Sequence, residues 1–442
     1  MGQSQLLRTR RFLPLFVTQA LTAFNGNAFR NALVILITYD LLRQTGLNAP
    51  ALVSIVAGLF ILPSFLFSAV AGQCSDKFDK SRLIRGIKLA EVAIMLLAAV
   101  GFALGSLHWH MAVLFLLGCQ SAFFGPVKYS ILPQHLGEDE LIAGNGLVEM
   151  GTFLSILLGT LFGGLMIRTA DGPYIVAGGL LALSVAGYLA SRRIPPAPSS
   201  SPDLRLNRNF LGETLRIIRH AARNREVYLC VLGISWFWLL GAVFLAQFPA
   251  FARATLSANE QVGNLFIAVF SIGISVGSLL CNKLLKGKVA ATYVPVGAIG
   301  ISIFTFDLVL GSGGHSMGGD TMIGVGAFLS RPADWRLVAD LLAISICGGL
   351  YIVPLYTIIQ ARSESGHVSR NVAANNVLNA LFMVAGTGVS AALLAAGFTV
   401  PQLFLAIAAA NLAAAVYICR LLPSDSLRFL PLGLRRLLGR GE

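Results

Sequence analysis

The chain has 442 residues, of which 56% are hydrophobic and 12% charged, and its formal net charge is +13. Soluble domains carry about 25% charged residues, so this composition indicates an integral membrane protein. Membrane proteins concentrate lysine and arginine on the cytoplasmic side, so the positive charge does not point to nucleic acid. The six cysteines lack the spacing of metal ligands or redox pairs, and we interpret them as small buried apolar residues.

Twelve apolar segments are long enough to cross a bilayer as helices. The first follows a basic N-terminus and is too long for a signal peptide, so we predict an uncleaved span that starts in the cytoplasm. The predicted spans are 12–40, 49–73, 83–105, 109–132, 140–168, 173–192, 226–251, 261–285, 289–311, 336–361, 371–396 and 400–421.

The distribution of positive charge supports this count. With both termini in the cytoplasm, the predicted cytoplasmic segments contain 27 of the 33 lysines and arginines. Positive residues are retained on the cytoplasmic side of membranes, so the bias favours an even number of spans in this orientation.

A proline- and serine-rich linker, 194–202, separates the sixth and seventh spans. The stretch 209–225 then places arginines on one side and leucines on another, which predicts an amphipathic helix on the cytoplasmic membrane surface. Docking of a partner protein is the alternative. We divide the chain into an N-terminal six-helix half (1–192), a cytoplasmic linker with an amphipathic helix (193–225), a C-terminal six-helix half (226–422) and a basic cytoplasmic tail (423–442).

The two halves echo each other in sequence. Segment 118–134 is echoed by 348–360, with a proline and a tyrosine at similar places, and segment 143–147 is echoed by 373–377. Two six-span halves joined by a basic loop resemble the major facilitator superfamily. The resemblance implies an all-α membrane fold of 12 transmembrane helices, with both termini cytoplasmic and substrate held between the halves.

The first span contains the polar stretch 24–31, which includes Asn25, Asn27, Arg30 and Asn31. Such side chains are costly in hydrocarbon unless they face protein or water. Helical spacing places Asn27 on the same flank as Arg30 and Asn31. We therefore predict that this stretch faces a central polar pathway.

Segment 72–82 reads Gly-Gln-Cys-Ser-Asp-Lys-Phe-Asp-Lys-Ser-Arg and resembles the loop signature of the same superfamily, with Asp79 in place of its second glycine. We expect Asp76 to lie against the amino end of the eleventh span, near Arg370, and to stabilise one access state. An ordinary positively charged loop is the alternative. The predicted gating residues are Gly72, Asp76, Lys77, Lys80 and Arg82.

Segments 24–31, 123–134 and 144–149 together resemble the lysophospholipid transporter family, and the resemblance covers essentially the whole chain. It implies inward flipping of lysophosphatidylethanolamine and related lipids across the bacterial inner membrane, with a lysophospholipid acyltransferase as a partner that re-acylates them. The family usually has an aspartate where this chain has Gly26. Arg30 then needs another partner, for which we predict Glu149.

A lysolipid headgroup offers its phosphate to Lys128 or Arg30 and an ammonium to Glu149 or a neighbouring carbonyl. Snorkelling of Lys128 to the interface, or a purely internal ion pair of Glu149, is the alternative. Glu91 is expected to join a polar network of the first half or to carry a proton. The predicted substrate-binding residues are Asn25, Asn27, Arg30, Asn31, Phe124, Lys128, Tyr129, Asn145, Glu149, Asn375 and Asn379, with Glu91 and Glu149 as candidate coupling residues.

Two other functions were weighed against lysolipid transport. One is proton-coupled export of small amphipathic drugs or metabolites, with Glu91 or Glu149 carrying the proton. The other is a membrane enzyme of lipid metabolism, for which His315 and Asp320 have acyltransferase spacing but lie in a short glycine-rich loop. No nucleotide-binding glycine loop occurs. We predict a secondary transporter rather than an enzyme, with no metal or cofactor.

Overall fold

The structure, a computed structural model, describes residues 3–39, 49–207, 209–313 and 322–421. Within these ranges the chain is helical apart from its connections and an isolated bridge between Ala258 and Ile323, so the predicted all-α class is confirmed. The predicted basic tail, 423–442, and the His315 and Asp320 pair lie outside the described residues.

Sixteen α-helices lie in the described part of the chain. The first half contains α1 (Gln3–Leu6), α2 (Leu13–Tyr39), α3 (Ala49–Lys77), α4 (Lys80–Leu104), α5 (Leu107–Ser130), α6 (Leu132–His135), a 3-10 turn (Glu138–Glu140), α7 (Leu141–Met166) and α8 (Gly172–Ser191). The connection carries α9 (Phe210–Arg223). The second half contains α10 (Arg225–Leu256), α11 (Glu260–Leu285), α12 (Val294–Ser312), α13 (Val325–Leu329), α14 (Asp334–Arg362), α15 (Val368–Ala395) and α16 (Val400–Leu421).

Eleven helices among the described residues are long and apolar enough to cross a bilayer, and they coincide with the second to twelfth predicted spans. The chain is therefore a multi-pass membrane protein. Helix α2 has 27 residues but is not among the eleven, because its amides and Arg30 lower its apolar content. The count of twelve, the cytoplasmic position of both termini and the domain boundaries stay predictions.

Helices pack mainly within their own half. Helix α2 packs on α7 and α8, and α3 on α5, while α14 packs on α11 and α12, and α10 on α15. Several helix pairs join the halves, above all α7 with α11 and α3 with α15, and also α5 with α15 and α7 with α14. The tightest approaches of the first two pairs are Gly146 on Ser278 and Gly72 on Ala373. Gly72 lies near the loop between α3 and α4. We call this end of the molecule the closed end.

The predicted amphipathic helix is α9, and it spans the boundary between the halves at the closed end. Its Ile217 is buried with Ala69 of α3 and Ala373 of α15. Leu211 and Leu215 are exposed, as an apolar contact with a membrane surface requires. The position of α9 on the membrane surface stays a prediction.

The contact between α2 and α7 depends on glycine at position 159. A Cβ atom added there would lie 2.5 Å from the Phe24 carbonyl oxygen and 3.2 Å from the Ala28 nitrogen. Small residues allow the backbones of membrane helices to approach this closely. The close approach brings the polar stretch of α2 against α7.

Gly159→Val is expected to destabilise the protein by about 1–3 kcal/mol, because the larger side chain forces α2 and α7 apart. Gly178→Val is the matched control, since a Cβ added at that exposed glycine meets nothing within 4 Å. Thermal unfolding in detergent, followed by circular dichroism, measures both variants. Equal unfolding midpoints would contradict the contact.

Candidate functional site

A cavity of about 630 Å³ lies between the two halves. Helices α2, α3, α5 and α7 line one side, and α10, α11, α14 and α15 line the other. Seven predicted substrate-binding residues line it: Asn27, Arg30, Asn31, Phe124, Lys128, Tyr129 and Asn379. The other four, which are Asn25, Asn145, Glu149 and Asn375, lie outside the lining.

Arg30 stands on the α2 wall of the cavity. Its Nη2 donates a hydrogen bond to Asn27 Oδ1 at 2.7 Å, and its guanidinium carbon lies 5.6 Å from the Phe60 ring centroid. Asn31 Nδ2 donates to the Thr160 carbonyl oxygen on α7 at 2.7 Å. The predicted ion pair of Arg30 with Glu149 is wrong, because among the described residues no carboxylate oxygen lies within 4 Å of this guanidinium.

Asn25 points away from the cavity into a buried network, which corrects its predicted place in the substrate site. Its Nδ2 donates to Glu91 Oε1 at 3.1 Å, and Lys88 Nζ lies 2.7 Å from the same oxygen. Thr22 Oγ1 and Gln120 Nε2 donate to Glu91 Oε2 at 3.1 and 2.9 Å. Glu91 therefore belongs to a first-half network, one of its two predicted roles. Its role in coupling stays a prediction.

Lys88 is the member of this network that sequence reasoning missed. The charge bias assigns residues 74–88 to the cytoplasm, whereas α4 begins at Lys80, so Lys88 lies about two turns inside the helix. Its side chain is 0% exposed and that of Glu91 is 1% exposed. Opposite charges three residues apart on a helix are the signal that points to this pair.

Two stacked tyrosines form the floor of the cavity. The rings of Tyr129 and Tyr356 stack at 4.1 Å between centroids, with 8° between their planes. They are the tyrosines of the two sequence echoes, so the fourth and tenth predicted spans meet face to face. Lys128 Nζ lies 4.6 Å from the Tyr129 ring centroid, and Lys128 lines the cavity rather than snorkelling away from it.

Glu149 lies behind this floor. Tyr129 Oη donates to Glu149 Oε1 at 2.5 Å, and the whole Glu149 residue is 0% exposed. The tyrosine therefore separates the carboxylate from the cavity, which corrects the predicted contact of Glu149 with a headgroup in this conformation. Its role as a coupling residue stays a prediction.

Asn145 ties the two halves together beneath the floor. It exchanges amide hydrogen bonds of 2.6 and 3.0 Å with Gln360, whose Nε2 also donates to the Tyr129 carbonyl oxygen at 3.0 Å. Asn145 is thus an inter-half contact rather than a cavity residue, which corrects its predicted role. Gln360 was missed, although it ends the second sequence echo.

The second half presents two amides on α15 to the cavity. Asn376 lines it, and so does Asn379, which accepts a hydrogen bond from Ser235 Oγ at 2.9 Å. The predicted Asn375 is instead buried beside the Tyr356 hydroxyl. Asn376, rather than the predicted Asn375, therefore faces the cavity, because adjacent side chains on an α-helix point about 100° apart.

An ion pair fastens the closed end. Arg370 Nε donates to Asp76 Oδ2 at 2.9 Å, and the side chains are 15% and 1% exposed. Arg370 lies in the first turn of α15, so the predicted contact of Asp76 with this helix end is present. A Cβ added at Gly72 would lie 3.2 Å from Arg370 Cα, so Gly72 permits the approach. The gating role of these residues stays a prediction.

The linker between the halves binds around this ion pair. The backbone N–H groups of Ser200 and Ser201 donate to the Asp76 carbonyl oxygen at 3.0 and 2.9 Å. Lys80 Nζ donates to Ser200 Oγ at 2.7 Å, and Lys80 is buried. Three parts of the chain, which are α3, α15 and the linker, therefore meet at Asp76.

The other residues of the 72–82 loop shape its turn. Asp79 accepts a hydrogen bond from the Arg82 N–H at 2.8 Å and caps α4. Burial raises the pKa of Asp79, but hydrogen bonds from Ser81, Arg82 and Ala197 outweigh it and hold that pKa below its ordinary value. Lys77 Nζ lies 6.0 Å from the Phe78 ring, and the Arg82 side chain is exposed.

The sequence is similar to that of a known superfamily and to transporters within it. The sequence model of the Major Facilitator Superfamily matches residues 15–342. The chain is 28% identical over 384 residues to a lysophospholipid transporter LplT of Salmonella heidelberg (strain SL476), covering 84% of this chain and 83% of the relative. A lysophospholipid transporter LplT of Escherichia coli (strain SE11) is 26% identical over 375 residues, covering 82% of each.

Solved structures show the same fold. The crystal structure of the human organic anion transporter MFSD10 superimposes with a TM-score of 0.75 at 13% identity. The superposition covers 92% of this chain and 99% of that one. At this level of identity the likeness concerns the fold alone.

Asp76→Asn is expected to weaken the closed end, because Arg370 loses its charge partner. A Ser369→Cys reporter, placed at a buried serine that contacts Asp76, should then react with maleimide at least about tenfold faster in a background without the native cysteines. Asp171→Asn, which removes an exposed carboxylate, is the control. Equal labelling rates in both variants would show that the ion pair does not hold this end shut.

Lys88→Met leaves Glu91 as an unpaired buried carboxylate and should destabilise the protein by about 3–5 kcal/mol. Lys88→Met combined with Glu91→Gln removes both charges and should recover most of that loss. Thermal unfolding in detergent compares the two variants. A single variant as stable as the native chain would rule out a desolvated ion pair at this place.

Proposed function

The chain belongs to the Major Facilitator Superfamily, and from this premise we propose a secondary transporter of lysophospholipids, the class represented by lysophosphatidylethanolamine. The relatives named as lysophospholipid transporters support the substrate class. The proposal includes twelve transmembrane helices in the bacterial inner membrane, halves 1–192 and 226–422, and both termini in the cytoplasm. The relatives and structural neighbours are transporters, and the chain is not an enzyme.

The observation that carries the proposal is the contrast between the two cavity walls. Arg30 and Lys128 stand on the first-half wall, with Asn27 and Asn31 beside Arg30. The second-half wall is mainly apolar and includes Phe237, Trp238, Leu245, Ala246, Ile267, Ala380 and Met383. A lysophospholipid has the same division, since an anionic phosphate lies at one end and a single acyl chain at the other.

The cations suit a phosphate group. A guanidinium offers a planar fork of N–H donors, and an ammonium adds a point charge with rotatable donors. The cavity volume of about 630 Å³ falls within the usual range for small-molecule sites, about 300–1,000 Å³. The headgroup would lie against Arg30 and Lys128, above the tyrosine floor, with the acyl chain along the second-half wall.

Transport then requires the closed end to open. The stack of Tyr129 on Tyr356, the amide pair of Asn145 with Gln360 and the Asp76 ion pair all join the two halves. Rocking of one half against the other would separate these contacts together and close the opposite end, as alternating access requires. The gating residues Gly72, Asp76, Lys77, Lys80 and Arg82 all lie at the end that opens.

Proton-coupled export of a small amphipathic compound is the alternative, and it needs a carboxylate that exchanges protons with the cavity. In this conformation Glu91 is paired with Lys88, and Glu149 is sealed behind Tyr129. We therefore favour lysolipid transport. An acyltransferase that consumes the delivered lysolipid would maintain net inward flow, and we propose this reaction class as the partner.

Proteoliposomes containing the full chain should take up labelled lysophosphatidylethanolamine or lysophosphatidylglycerol faster than empty vesicles. Arg30→Ala and Lys128→Ala should each lower uptake at least about tenfold, because each removes a charge-assisted hydrogen bond worth about 1.5–3 kcal/mol.

Arg192→Ala, which removes an exposed arginine at the end of α8, is the matched control for the loss of one positive charge. Uptake of neither lipid, together with efflux of an amphipathic dye, would support the exporter instead. Normal uptake by both alanine variants would show that the headgroup binds elsewhere.

A further inference from the structure

The charged side chains that line the central cavity all have one sign. Among the described residues of the lining, Arg30 and Lys128 are the charged ones, and no aspartate or glutamate occurs. No carboxylate oxygen of the described residues lies within 4 Å of the Arg30 guanidinium, whose side-chain partner is the neutral Asn27 amide. The cavity therefore presents two cationic side chains to whatever enters it, although Glu149 behind the tyrosine floor offsets part of the Lys128 charge.

The carboxylates closest to the cavity are buried and lie outside its lining. Glu91 binds Lys88, Asn25, Thr22 and Gln120, and it is buried. Glu149 accepts the Tyr129 hydroxyl hydrogen bond on the far side of that ring. Neither one is placed to receive an ammonium group from a ligand in the cavity.

The charge of the headgroup affects how favourably a lysolipid binds in this cavity. A lysophospholipid without an amine, such as lysophosphatidylglycerol, brings one net negative charge that offsets part of the cavity charge. Lysophosphatidylethanolamine brings the same phosphate and also an ammonium, which must lose water near two cations. Charges interact more strongly in a partly dehydrated site than in water, so this repulsion counts against the zwitterion.

We infer that this cavity selects lysophospholipids whose headgroup carries a net negative charge and no amine, over zwitterionic lysolipids. The inference rests on the proposed function and narrows its substrate. The expected preference is at least about tenfold, which corresponds to roughly 1.4 kcal/mol in relative binding free energy.

Gly26 offers a way to reverse the preference. It lines the cavity on α2, one helical turn before Arg30, and a Cβ added there meets nothing within 4 Å. Gly26→Asp therefore introduces a carboxylate into the cavity without a steric clash, four residues from the guanidinium. Gly26→Asn has nearly the same shape and no charge.

The experiment measures uptake of labelled lysophosphatidylglycerol and lysophosphatidylethanolamine at equal concentration by proteoliposomes with the native full chain. Native protein should prefer the glycerol headgroup at least about tenfold. Gly26→Asp should lower the ratio toward one, whereas Gly26→Asn should keep the native ratio. Lysophosphatidylcholine, whose quaternary ammonium binds aromatic faces, tests whether Trp238 and the tyrosines accept a cation instead.

Equal or faster uptake of either zwitterion by the native chain would overturn the inference and leave the proposed function intact. Uptake of no lysolipid at all would overturn both. If Gly26→Asp does not reach the membrane, the native ratio alone decides. If it folds as well as Gly26→Asn and the ratio does not move, the charge of the cavity does not set the selectivity.

Discussion

A polar side chain inside a bilayer has a stable place only beside a partner or in water, and this constraint organises the protein around α2. Asn25 finds its partner in the buried Glu91 network, and Asn31 finds one at a carbonyl of α7. Arg30 is left to the cavity. Hydrogen bonds from α2 thereby position α4, α7 and the cavity relative to each other.

At the closed end, the free-energy cost of burying polar and charged groups varies with their depth in the protein. Beneath the cavity lie an aromatic stack, then a neutral amide pair, and then the ion pair of Asp76 with Arg370. The charged contact is the one nearest the surface, where Arg370 keeps part of its hydration and the desolvation penalty is smaller. The contacts that must separate during transport are thus aromatic near the cavity, neutral and polar below it, and charged near the surface.

Sequence reasoning succeeded where burial cost and loop spacing leave few choices, as for Asp76 at the eleventh span and Arg30 in the cavity. It failed over the partner of Glu149, because a pattern shows that a buried carboxylate needs a donor without showing which helix supplies it. The nearby hydroxyl of Tyr129 supplies it. Lys88 was missed because the charge bias counted it with the cytoplasmic segment 74–88, whereas its side chain is buried within α4 beside Glu91.

The floor of the cavity has a consequence for how its two tyrosines can vary. In a twofold-symmetric dimer, a contact on the axis is made by the same residue from each subunit. The stack of Tyr129 on Tyr356 has this character within one polypeptide, yet one hydroxyl meets Glu149 and the other meets Trp238. In a dimer of identical subunits, one codon determines both residues of such a contact. Within a single polypeptide two codons determine them, so each ring can acquire its own neighbour independently.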